Sequence, residues 1–173
     1  GVLVAVLAGV RFSVDGRRLD LLICSGFGVL ATTNIAFAIA PVVGGQSVHR
    51  IEGWAHLGGR LFGWILIAYA PWVRGRINDP RRAAANAVFG FGLLLTAVWL
   101  VCSWLGGRLP ALDWAPGSGV PAALTSVLAI QAMLALLALV GFAQRFRLRR
   151  EDIDRWLALA ATLALFSELH YVF

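Results

Sequence analysis

An all-α fold, a polytopic transmembrane helix bundle of about six spans, is what this 173-residue sequence predicts. Composition is the first reason. Hydrophobic residues make up 60% of the chain and charged residues 14%, whereas charged residues are about a quarter of a soluble domain. Mean hydropathy is +0.79. Charge placement is the second. Every one of the 15 basic residues is arginine, and most fall in three short clusters between long apolar runs. Arg11, Arg17 and Arg18 form the first, Arg74, Arg76, Arg81 and Arg82 the second, and Arg145, Arg147, Arg149 and Arg150 the third. Every second connection is therefore basic, which is the positive-inside pattern of a multi-span protein. The net charge of +6 is spread over juxtamembrane connections and not over one continuous face. The expected partners are the lipid bilayer and its anionic headgroups, and no nucleic acid is expected.

A spanning helix needs about 20 mainly apolar residues, and the runs follow in order. Gly1 to Val10 is a stub. The second run extends from about Asp20 to Val43, closed by Pro41 and Gly44-Gly45. The third covers Trp54 to Val73, the fourth Ala85 to Leu105, the fifth Val120 to Phe142, and the sixth Ile153 to Phe173. Connections 11–19, 74–84 and 143–152 are then cytoplasmic, and 44–53 and 106–119 face outward. Trp54, Trp104 and Trp114 would stand at the outer boundary and Trp72 and Trp156 at the inner one, as an aromatic belt. Gly59 and Gly63 make a GxxxG spacing, and Gly90 with Gly92 thins the fourth run; both favour close helix approach in lipid. Cys24 and Cys102 read as small buried hydrophobes. The chain starts and stops inside apolar stretches without an initiator Met or a signal-peptide pattern. It is therefore expected to be a fragment, residues 1–173 forming a single integral-membrane domain truncated in its first and last spans.

Ionisable groups are costly in a membrane, about 2.5–3.5 kcal/mol at the centre of a helix. Two stand out, Arg60 in the third run and Glu168 in the sixth. At a rise of about 1.5 Å per residue, Arg60 falls about 9 Å below the outer boundary and Glu168 about 22 Å above the inner one. In a core about 30 Å thick these levels nearly coincide, and Asn34 reaches a similar height. The expectation is an Arg60–Glu168 pair with Asn34 nearby. Glu52, His56 and Arg60 are spaced four apart and share one helix face. His170 lies two residues past Glu168 on another side, and Gln131 sits nearer mid-membrane. Such a cluster fits either a ligand- or proton-sensing pocket or a polar lock that fixes helix register.

No nucleophile–base–acid triad, phosphate-binding glycine loop, HExxH or CxxC spacing is present, so neither catalytic residues nor a metal site are expected. His56 and His170 are the one pair that could serve as haem axial ligands, and two histidines on separate helices do not by themselves predict haem. A transporter would show a span broken at depth. Here Pro41, Pro71, Pro110, Pro116 and Pro121 fall at span ends and Pro80 in a basic connection.

Three stretches resemble the multi-span sensory regions of actinobacterial two-component sensor histidine kinases. They are DLLICSGFGVLATTNIAFAIAP from Asp20, HLGGRLFGWILIAYA from His56 to Ala70, and GFAQRFRLRREDIDRWLALAATLALFSELHYVF from Gly141 to the end. In that family a basic cytoplasmic loop leads into a helix closing on a histidine or asparagine followed by Tyr. The resemblance implies a plasma-membrane sensory domain acting as a homodimer. A further span, a phosphoacceptor helix and an ATP-binding domain facing a response regulator would lie beyond residue 173. ATP would belong to that part, and no cofactor is implied within residues 1–173. No phosphoacceptor carries over, because His49, His56 and His170 all fall toward the outer side. The same sensor could drive another output, such as a diguanylate cyclase, and a small transporter or redox subunit is the alternative from another class.

Overall fold

Runs of Leu, Ala, Val and Phe that satisfy their backbone groups internally form helices wherever the surroundings are apolar, and this chain follows that rule. The structure, a computed structural model, describes residues 1–45, 50–110 and 122–172. His49 and Trp114 lie outside the described residues. Among those described, every regular element is helical: α1 (Val2–Asp15), α2 (Arg18–Val43), α3 (Arg50–Tyr69), α4 (Pro80–Leu105), α5 (Ala122–Arg149) and α6 (Asp152–Val172). Three of them, α2, α4 and α5, are long and apolar enough to cross a membrane by length and composition.

The helices begin and end differently from the sequence expectation at the arginine-rich connections. α1 runs on through Arg11 to Asp15, where Gly16 in the left-handed region (φ 63°) caps it by donating its N–H to the Phe12 carbonyl. α5 likewise continues to Arg149, so the third basic cluster is carried largely on a helix. Pro80 is not in a connection. It is the first residue of α4, where its missing N–H costs nothing, and Asp79 accepts from the Arg82 N–H at 3.1 Å as the N-cap. Pro41 does not stop α2. The ring of a helical proline presses on the carbonyl four residues back, here Phe37, and the helix relieves this with a π-helical turn over Ile35–Ile39 before continuing to Val43.

The three basic connections meet at one end of the bundle. The Arg18 N–H donates to the Gly75 carbonyl at 3.2 Å and the Ile77 N–H to the Gly16 carbonyl at 2.8 Å. Arg17 reaches Glu151 at 3.1 Å. At the opposite end, Trp54 Nε1 donates to the Pro110 carbonyl at 2.9 Å. Between the ends, Ile23, Ile67, Ala135, Ala138, Phe142 and Ala161 belong to one core joining α2, α3, α5 and α6. α4 stands outside it with no buried residue.

Close approach of α2 and α3 depends on glycine. A Cβ at Gly63 would sit 2.7 Å from Leu30 Cδ2 and 3.0 Å from the Gly26 carbonyl, and one at Gly59 would sit 2.7 Å from Thr33 Cγ2. Gly90 and Gly92 do no such work, since a Cβ added at either would meet no neighbouring element within 4 Å. Gly63→Leu is therefore expected to part the two helices and destabilise the bundle by at least about 1–3 kcal/mol. Gly90→Leu should stay within about 0.5 kcal/mol of the parent. Thermal unfolding in one detergent distinguishes them.

Candidate functional site

One turn of α3, from Leu57 to Arg60, receives a polar group from each of three neighbouring helices, while α4 reaches the same turn with an apolar side chain, Val98 beside Gly58. From α6 comes Glu168, 1% exposed, which accepts from Arg60 Nη2 through Oε1. From α5 comes Gln131, fully buried, whose Nε2 donates to the Leu57 carbonyl at 3.2 Å. From α2 comes Thr33, also fully buried, whose side chain lies where the absent Cβ of Gly59 would be. One turn earlier on α3, His56 Nε2 lies 2.6 Å from Asn34 Oδ1, a bond in which the ring N–H donates.

The local sequence explains the convergence. Gly59 leaves the room that Thr33 fills, and Arg60, next in line, is turned toward α6. Glu168 lies 16 residues along α6 from Asp152, roughly 24 Å from its start. The pair thus sits in the half of the bundle away from the arginine-rich connections. The π-helical turn of α2 begins at Ile35, directly after Asn34, and such turns recur at functional sites.

The arrangement leaves buried acceptors unsatisfied. Thr33 Oγ1, Gln131 Oε1 and Glu168 Oε2 all lack a hydrogen-bond partner. A buried polar atom without a partner costs about 1–3 kcal/mol, and each such atom in a native structure calls for an explanation. Three of them around one helical turn make this a place where a proton, a water or a polar ligand gains by arriving.

Arg60, Glu168, Asn34 and His56 are thus brought into two bonded pairs on adjoining turns of α3. Glu52 is one turn further out on the same helix; its Oε2 is buried without a partner, and it belongs to neither pair. His170 is exposed, whereas Glu168 two residues earlier is buried, so the two face different sides of α6. A haem iron on His56 Nε2 would have to displace Asn34. Among the described residues, no group of three or more His, Cys, Asp or Glu is placed to hold a metal ion.

Sequence reasoning missed Thr33, and it missed a second polar network at the other end. There Arg145 Nε donates to Asp154 Oδ1 at 3.2 Å, with the Asp154 side chain fully buried. Arg17 pairs with Asp15 at 3.5 Å and Glu151 at 3.1 Å, and Arg11 lies 3.9 Å from both Asp20 and Glu151. Arginines expected to face lipid headgroups alone are in part committed to carboxylates. The available signal was the acidic residues set among the basic clusters, Asp15, Asp20, Glu151 and Asp154. No protein-family model, curated protein or solved structure matches the chain.

Proposed function

We propose that this chain is the membrane-embedded sensory region of a two-component sensor histidine kinase in the cytoplasmic membrane. In this reading all six helices belong to spans. Connections 11–19, 74–84 and 143–152 are cytoplasmic, by the positive-inside rule. α3 and α6 fall short of the apolarity of α2, α4 and α5 because they carry the polar residues that pair with each other. Groups satisfied inside a bundle are tolerated at membrane depth.

The observation that carries the proposal is the part-buried Arg60–Glu168 pair, its carboxylate buried, with unsatisfied acceptors around the same turn. It ties α3 to α6, the helix that precedes the expected output. A stimulus that protonates Glu168, or offers its free oxygen a donor, changes the side-chain link between α6, which packs on α5, and α3. Signalling then follows if the two packings differ in affinity for that stimulus. The resemblance of the segment from Gly141 onward supplies the output, a homodimeric kinase using ATP and passing phosphate to a response regulator.

The test of the output is direct. Full-length protein, in membranes from its own host, incubated with ATP, is expected to acquire acid-labile phosphate on a histidine beyond residue 173. A coding sequence that closes shortly after Phe173, or a following domain of another kind, would overturn the kinase reading.

A further inference from the structure

Five arginines from three separate segments line one cavity of about 300 Å³ at the basic end of the bundle: Arg17, Arg74, Arg76, Arg145 and Arg149 are joined there by Gly75. Such a volume is at the small end of ligand sites. Convergence of this many like charges is unfavourable unless something neutralises them, and the carboxylates at hand do so only in part. Glu151 and Asp15 engage Arg17, and Asp154 engages Arg145. Among the described residues no carboxylate lies within ion-pair distance of Arg74, Arg76 or Arg149.

The cavity is also held in shape. Its first two walls are sewn together by the Arg18–Gly75 and Ile77–Gly16 backbone bonds and by the Arg17–Arg76 bridge. Gly16 and Gly75 make that possible with positive φ, 63° and 103°, a conformation that only glycine adopts freely. The third wall is fixed by Arg145, itself buried and anchored on Asp154. A part-neutralised set of guanidinium forks on a backbone held in this way is suited to tetrahedral oxyanions, which accept two parallel hydrogen bonds from each fork.

We propose that this cavity is a binding site for a phosphate-bearing anion, with Arg74, Arg76 and Arg149 as its principal ligands and Arg17 and Arg145 as its fixed frame. The phosphate can belong to an anionic phospholipid headgroup of the inner leaflet or to a soluble phosphate compound; the chemistry of recognition is shared. The site is distant from the Arg60–Glu168 turn and does not depend on a kinase output.

The experiment uses the chain in phosphatidylcholine nanodiscs, with and without phosphatidylglycerol, and with inorganic pyrophosphate added to the lipid-neutral sample. Retained phosphatidylglycerol is counted by native mass spectrometry, and pyrophosphate binding is read as a rise in unfolding temperature. Two triple variants are compared. R74Q/R76Q/R149Q removes the cavity ligands, and R81Q/R147Q/R150Q removes the same charge from exposed arginines that do not line it. All six side chains are exposed, so folding is retained, and circular dichroism verifies it.

The cavity triple is expected to lose binding at least about tenfold, and the surface triple less than about threefold. Phosphatidylglycerol retention with that pattern assigns a lipid headgroup, and pyrophosphate stabilisation with that pattern assigns a soluble anion. R74K/R76K/R149K, which keeps charge but not the forks, should fall between parent and the glutamine triple. Equal loss in both triples would mean general attraction to a basic surface and would overturn the proposal, as would an absence of binding in the parent.

Discussion

Arg60→Ala is expected to destabilise the bundle by about 3–5 kcal/mol, the usual cost of removing one partner from a buried ion pair. Glu168 would lose the Arg60 donor from a buried carboxylate whose second oxygen already has none. Glu168→Gln should cost less, about 1–2 kcal/mol, because the amide still accepts from Arg60 and the Arg60 side chain retains 21% exposure. Removing both charges is the informative third member. R60M/E168L should be more stable than Arg60→Ala alone, since apolar pairs often replace buried ion pairs without loss. Thermal unfolding of the three variants in one detergent checks the order.

Arg145→Ala is expected to be comparably severe, about 3–5 kcal/mol, and to act on a different joint. The Arg145–Asp154 bond closes the tight turn between α5 and α6, with Asp154 fully buried and its Oδ2 already unpartnered. Arg150, at φ 56°, is the one non-glycine residue in the left-handed region among those described, and it marks how sharply the chain reverses there. Arg82→Ala is the contrast. Its pairing with Asp79 is exposed on both sides, 88% and 53%, and should contribute about 0–1 kcal/mol. If Arg145→Ala unfolds no more readily than Arg82→Ala, the turn is not held by its buried pair.

The helical fold was legible because apolar runs and arginine clusters are long-range, redundant signals. Within the described residues all six runs are helical, although there only α2, α4 and α5 are apolar enough to cross a membrane on that ground alone. The helix ends were less legible. Arginine is a good helix former, so Arg11 and Arg145 to Arg149 lie on helices that composition would have ended earlier. The end of α2 at Val43, before Gly44-Gly45, is where the sequence places it, and what the sequence does not show is the π-helical turn just before Pro41.

The Arg60–Glu168 pairing could be reached from depth arithmetic, because rise per residue and membrane thickness are fixed quantities. Thr33 could not. A threonine in an apolar run is unremarkable until its hydroxyl is seen buried and unpartnered against Gly59. Reading the basic clusters for membrane orientation likewise hid their second use, the ion pairs with Asp20, Glu151 and Asp154. Charge counting gives the side of the membrane but not which arginines already have partners.

Under the proposed function, the Arg60–Glu168 turn responds to a stimulus and is more than a register lock. Its most direct test is the rate of histidine phosphorylation by full-length protein reconstituted in lipid vesicles, parent against Glu168→Gln. The variant is chosen because its fold should survive. A change of at least about fivefold is expected, the lower end of ordinary coupling between sites, with the unfolding temperature of the membrane region nearly preserved. An unchanged rate in a folded variant, or no phosphohistidine in the parent, would contradict it.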